Sequence, residues 1–256
     1  MCSTTYFCIM EVYKKLTEAA QKNKKQLAVL IDPDKSDSNA IKEKAALCNR
    51  FEVDYIFVGG SLIKGDSFDS CLKILRSETK VPVVIFPGSV FQVSGEADAL
   101  LLLSLISGRN PEMLIGNHVI AAPHIRRSGV EVIPCGYMLI ESGKLTSVVY
   151  MSNTSPIPSD KTDIAVCTAV AGEMLGHKLI YMDAGSGAEN CISDEMVNQV
   201  KANISIPLIV GGGIRNAKTA SALWKAGADV VVVGNACEKD PDLIGEIVEG
   251  RERHRA

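Results

Sequence analysis

Leu27-Ala-Val-Leu-Ile31 is an unbroken apolar run that stops at Asp32-Pro33-Asp34-Lys35; an amphipathic stretch over 39–50 follows, and then a second apolar run, Tyr55-Ile-Phe-Val58, which stops at Gly59-Gly60-Ser61. Continuous runs of this length suit strands covered on both faces, as in parallel sheets. A strand, a helix and a second strand in 32 residues form a βαβ unit.

The same rhythm extends along the chain. Strands are expected at 81–86, 99–105, 131–140, 178–183, 207–210 and 230–233, with helices over 68–77, 111–127, 163–175, about 193–202, 216–227 and 242–249. Residues 10–22 read as a leading amphipathic helix, and 144–151 as an extra strand or a strand extension. Eight strands, most followed by a helix, predict a (β/α)8 TIM barrel, and 256 residues is the usual size of one. A doubly wound open sheet is the alternative. No linker divides the sequence, so residues 1–256 are read as one domain. Between Phe86 and Ala99 there is too little chain for a crossover helix. The third helix is therefore expected to be missing or modified.

Composition narrows the function classes. With 27 Lys and Arg against 30 Asp and Glu, the net charge is −3, which argues against nucleic acid as a partner. No apolar run reaches membrane-helix length. The stretch Tyr6 to Met10 is too short for a signal peptide, and Met10 is a second candidate start. The eight cysteines are scattered without a Cys-x-x-Cys, so buried thiols in a cytoplasmic protein are expected rather than zinc or disulfides.

In a barrel of this kind, chemistry sits where strands run out into loops. Gly211-Gly212-Gly213 and Gly234-Asn235 follow strands seven and eight, where barrels frequently bind phosphate. Such glycines also serve simply to make tight turns. Asp32 ends strand one, with Ser61 at the end of strand two. The pair suits a hard divalent cation, or Asp32 caps the turn before Pro33. Asp183 ends strand six as a candidate general base, or as a cap for the turn at Ala184-Gly185.

Read in order, Leu30-Ile-Asp-Pro-Asp-Lys35, Val58-Gly-Gly-Ser61, Phe86-Pro-Gly-Ser89, Leu105-Ile-Ser-Gly-Arg-Asn-Pro111, Tyr181-Met-Asp-Ala-Gly-Ser-Gly-Ala188, Val210-Gly-Gly-Gly-Ile-Arg215 and Val233-Gly-Asn-Ala236 closely resemble the geranylgeranylglyceryl phosphate synthase family. The resemblance covers about Leu27 to Ile247. It implies a barrel with a modified third helix and a prenyltransferase that joins a polyprenyl diphosphate, geranylgeranyl by default, to sn-glycerol 1-phosphate. It implies Mg2+ on Asp32 and Ser61, and glycerol 1-phosphate on Tyr181, Met182, Asp183, Ala184, Gly185, Ser186, Gly187, Gly212, Gly213, Gly234 and Asn235. Asp183 and Tyr181 would be catalytic. Many members carry Glu where Asp183 stands, one methylene longer.

A long prenyl chain needs an apolar groove. Its candidate walls are residues 87–98 and the helix over 111–127, with Phe91, Leu114 and Ile115 as lining, Asn117 and His118 as polar guides and Lys35 as a charge near the diphosphate. A homo-oligomer is expected, with Trp224 buried or interfacial. Contact with a membrane is expected to be transient at most, because no strongly basic amphipathic helix is present. Two other readings share the phosphate loops: a phosphosugar isomerase or synthase using Asp32 and Asp183 as its acid and base, and a non-catalytic barrel that binds a phosphorylated metabolite.

Overall fold

The computed structural model describes residues 11–62, 65–240 and 242–254. The alternative start at Met10 and the stretch before it lie outside them.

Eight parallel strands close on themselves in sequence order. They are β1 (Gln26–Ile31), β2 (Tyr55–Val58), β3 (Val83–Ile85), β4 (Ala99–Leu105), β5 (Glu131–Leu139), β6 (Leu179–Asp183), β7 (Leu208–Gly211) and β8 (Val230–Val233). Closure is made by β1 against β8, with Gln26 opposite Val230 and Val29 opposite Val233. Side chains alternate across each strand, so every strand feeds two cores. Tyr55, Phe57, Ile133, Cys135, Tyr137, Tyr181 and Ile209 fill the barrel interior. Their neighbours Ile56, Val58, Met138, Ile180, Met182 and Val210 pack outward against the helices. Burial on both faces explains the unbroken apolar runs.

The helices are α1 (Glu11–Gln21), α2 (Ser38–Arg50), α3 (Ser67–Glu78), α4 (Asn117–Ser128), α5 (Ser147–Ser152), α6 (Thr162–Met174), α7 (Asp194–Asn203), α8 (Ala217–Ala226), α9 (Asn235–Lys239) and α10 (Leu243–Glu252). Sequence chemistry sets their starts. Asp37, Ser193 and Asn216 each accept a hydrogen bond from a first-turn N–H of α2, α7 and α8. The leading helix α1 plugs the bottom of the barrel. Val12 and Leu16 join the interior core, and buried Glu131 accepts the N–H groups of Val12 and Tyr13 at 2.9 and 2.8 Å. Trp224 is buried, its indole donating to the carbonyl of Gln26 at 3.0 Å.

The expected gap is present: no helix lies between β3 and β4. Buried Gln92 takes over the pinning a helix would provide. Its Oε1 accepts from Gly88 N at 2.9 Å and its Nε2 donates to Gly60 O at 3.2 Å. Two expectations need correction. Residues 144–151 form no strand; a loop leads into α5. Apolar β-branched residues there read as strand, but β5 and β6 already pair with each other, leaving no edge to extend. The helix expected over 111–127 is not uniform. Glu112–Gly116 is a π-helical segment that leads into α4, which carries Pro123 within it.

Candidate active site

The carboxyl ends of the strands open into one cavity of about 1350 Å3. Its floor is aromatic. Phe86 stacks on Tyr181 with ring centroids 5.1 Å apart, and Tyr137 meets Tyr181 edge-on at 5.6 Å. Tyr137 and Tyr181 belong to the interior core, opposite each other in the β5–β6 register, and Phe86 at the end of β3 packs on them.

Asp183 lines the cavity but is only 7% exposed. Tyr137 Oη donates to its Oδ2 at 2.5 Å, and Gly185 N donates to its Oδ1 at 2.7 Å. Burial pushes the Asp183 pKa above the usual carboxylate value, and the two hydrogen bonds oppose that rise. Burial likewise raises both tyrosines, helped by the charge of Asp183, so they remain donors. Tyr137 is a site residue that the sequence reading missed. The period-two alternation of β5 placed it inward; nothing local marked its partner on β6.

The loop after β7 approaches the same carboxylate. Gly212 has φ +88°, and a Cβ there would stand 2.8 Å from Asp183 Oδ1 and Ala184 N, so only glycine fits. Gly213 follows, also lining the cavity. Opposite, Asn235 at the start of α9 is linked to Ser186 on the β6 loop, its Nδ2 donating to Ser186 Oγ at 3.2 Å. Thus Asp183, Gly185, Ser186, Gly187, Gly212, Gly213, Gly234 and Asn235 come together around one end of the cavity, with Tyr181 beneath. Met182 and Ala184 do not line it; their side chains belong to the outer core.

Asp32 and Ser61 line another part of the rim. Asp32 Oδ1 accepts from Asp34 N at 3.2 Å, and Oδ2 holds Lys35 Nζ at 2.9 Å. Lys35 thus pairs with the proposed metal ligand. Gly60, in the loop after β2, approaches this carboxylate, a Cβ there standing 3.1 Å from Asp32 Oδ1, and Ser61 follows it in the chain. No group of three or more His, Cys, Asp or Glu side chains encloses a metal site among the described residues. Asp32 and Ser61, on the same rim, would offer Mg2+ one carboxylate and one hydroxyl, with water and substrate phosphate completing its shell, and the metal would displace Lys35 from Oδ2.

The remaining wall is apolar: Leu100, Leu102, Leu103, Met113, Ala121 and Ile125. Met113, Ala121 and Ile125 come from the expected helix, but half of this wall is β4, which was not among the expected segments, and the lining residues are not the expected ones. Phe91 and Ile115 are 88% and 60% exposed, and neither they nor Leu114 line the cavity. Val90 and Val93 from the segment between β3 and β4 do instead, and so does Met113, in the π-helical turn that leads into α4. Asn117 and His118 are in the wall, with His118 Nε2 3.2 Å from Ser104 Oγ.

Comparison with known proteins places this geometry. The model of the PcrB family matches residues 20–251. The chain belongs to the PcrB family. A geranylgeranylglyceryl phosphate synthase of Chitinophaga pinensis is 54% identical to this PcrB-family chain over 239 residues, covering 93% of it and 95% of the relative. One of Spirosoma linguale, with the same name, is 47% identical over 224 residues, covering 88% and 90%. Among solved structures, the (S)-3-O-geranylgeranylglyceryl phosphate synthase of Thermoplasma acidophilum, in complex with its substrate sn-glycerol-1-phosphate, superposes with a TM-score of 0.89 at 32% identity, covering 94% of this chain and 98% of that one. The relatives carry the name that the ordered motifs resemble. No helix among the described residues is long and apolar enough to cross a membrane.

Proposed function

We propose that the protein joins geranylgeranyl diphosphate to sn-glycerol 1-phosphate through an ether bond, releasing diphosphate. One observation carries this reading: a single cavity has a glycine-lined polar end at Gly212, Gly213, Gly234 and Asn235 and an apolar wall from β4 and α4. The two substrates divide along the same line, one small and phosphorylated, the other a long hydrocarbon.

Backbone N–H groups of the two glycine loops hold the phosphate, and Ser186 and Asn235 close that end. The glycerol hydroxyl then lies over Asp183. Its oxygen bonds to the allylic carbon as the bond from that carbon to the diphosphate oxygen breaks. The electron pair leaves with the diphosphate, and the hydroxyl proton passes to Asp183. Burial raises the proton affinity of Asp183, which suits a base, and Tyr137 fixes its orientation. The shorter acid reaches less far than Glu, so the substrate hydroxyl sits deeper toward β6. The apolar wall shields the allylic carbon from water. Asp32 and Ser61 would hold Mg2+, which when bound supplies positive charge against the departing diphosphate.

The test is turnover of geranylgeranyl diphosphate with sn-glycerol 1-phosphate, with and without Mg2+. Metal-dependent ether product is expected. No product with any prenyl length or with either glycerol phosphate enantiomer would overturn the reading.

A further inference from the structure

The loop between β5 and α5 has no role in the reading above, yet it overhangs the polar end of the cavity. It is fastened at two points. Ahead of Lys144, Asn190 N donates to Ser142 O at 3.0 Å, tying the loop to the chain that follows Gly187. Beyond Lys144, buried Thr146 packs on Gly185. A Cβ on Gly185 would stand 2.6 Å from Thr146 Oγ1, and φ at Gly185 is +89°, so the close approach is built into the backbone. Between these anchors, Lys144 is aimed at one place. The point where a Cβ on Gly187 would stand lies 3.8 Å from Lys144 Nζ and 3.7 Å from Asn235 Nδ2. The ammonium and the Asn235 amide therefore flank the same point, beside the glycine loops.

Charge gives this placement meaning. Backbone N–H groups and the Asn235 amide are neutral, while a phosphate monoester is close to a dianion and enters beside the carboxyl of Asp183. Among described residues, three cationic side chains line the cavity: Lys35, Arg215 and Lys144. Lys35 is paired with Asp32, and Arg215 donates to Ala188 O at 2.9 Å. Arg215 keeps its charge but is tethered at Ala188, whereas Lys144 makes no hydrogen bond or ion pair among described residues, so its donors and its charge are both available beside Gly187 and Asn235.

We infer that Lys144 is a substrate-binding residue whose ammonium closes over the phosphate of glycerol 1-phosphate, opposite Asn235, and sets the preference for a phosphorylated acceptor over an uncharged one. This rests on the proposed function and deepens it: the glycine loops provide shape, and Lys144 provides countercharge.

The test titrates sn-glycerol 1-phosphate, and glycerol as the uncharged probe, into the wild type, Lys144→Met and Lys144→Arg without prenyl diphosphate. Steady-state kinetics follow on the same three proteins. Lys144→Met is expected to weaken glycerol phosphate binding roughly ten-fold, the usual worth of one hydrogen bond to a charged group. KM for glycerol phosphate should rise with it, while kcat and KM for prenyl diphosphate hold. Lys144→Arg should restore most of the affinity, and added salt should weaken the wild type more than Lys144→Met. Wild-type affinity in Lys144→Met, or a loss confined to prenyl diphosphate, would overturn the inference while leaving the activity intact. A wild type that neither binds nor turns over glycerol phosphate would overturn the functional reading, and this inference with it.

Discussion

Tyr137 on β5 donates its phenolic hydrogen to Asp183 on β6 across 2.5 Å, and both side chains lie almost wholly out of water. A buried carboxylate of this kind is held ionised by its donors and pushed toward neutrality by its surroundings. Removing one donor tips that balance. In Tyr137→Phe the Asp183 pKa should rise further, because the Tyr137 hydrogen bond is what lowers it most. The base must be ionised to act, so activity falls as pH falls through that pKa. The acidic limb of the kcat/KM profile should therefore move to higher pH in Tyr137→Phe, with kcat down roughly ten-fold.

Asp183→Asn separates chemistry from architecture. The amide oxygen still accepts from Gly185, and the amide nitrogen still meets Tyr137 with donor and acceptor exchanged. Loss of the base should cost kcat on the order of 10²–10⁴-fold, while affinity for glycerol phosphate changes little. Stability should hold near neutral pH. The folded pKa of Asp183 is raised, so ionising it costs stability above that pKa; the penalty is lost on acidification, and asparagine never incurs it. Calorimetric unfolding alongside single-turnover kinetics checks both halves.

At Asp32 the expected effect is on leaving-group chemistry. Asp32→Asn should lower turnover roughly 100-fold or more, and a chelator should bring the wild type to a similar level. Folding should hardly change. The ion pair between Lys35 and Asp32 is half exposed at the lysine, and such pairs are worth about 0–1 kcal/mol. A variant with normal turnover and normal Mg2+ dependence would remove Asp32 from the metal site.

Gly212→Ala tests the cradle. The new Cβ meets Asp183 Oδ1 and Ala184 N at 2.8 Å, in a backbone conformation that alanine resists. A stability loss of about 1–3 kcal/mol is expected from the strain, with glycerol phosphate binding weakened beyond it. Denaturant unfolding and titration calorimetry read the two effects separately.

Far from the chemistry, Arg251 of α10 is buried against Asp54, which also accepts from Leu27 N at 2.9 Å. Arg251→Met removes the buried guanidinium that pairs with that carboxylate. A loss of about 3–5 kcal/mol is expected in denaturant melts, with turnover of the remaining folded protein unchanged.

What could be read from the residues in order follows from local physics. Apolar runs such as Leu27–Ile31 and Tyr55–Val58 announce strands buried on both faces, and eight of them with alternating helices leave the closed barrel as the simplest way to cover every edge. The gap after Phe86 is a matter of chain length, legible by counting. Asp32, Asp183 and the paired glycines stand at strand ends, and in a barrel all strand ends meet at one face. What needed the folded molecule was every relation between residues remote in sequence. Tyr137 and Asp183 face each other through strand register across 46 residues. In the π-helical segment Ile115 faces solvent while Met113 faces the cavity, and such a local change of helix winding leaves no compositional mark. The 144–151 segment read as strand because propensity is local, whereas the barrel had no edge left to pair with it. Lys144 looks like any loop lysine until the anchors at Ser142 and Thr146 are seen to aim it. Sequence alone determined the eight strands, the main helices between them and which loops carry chemistry, because hydrophobic period and glycine placement act over a few residues. Tertiary structure decided which side chains share a proton, a wall or a charge, because those contacts exist only once the strands have closed.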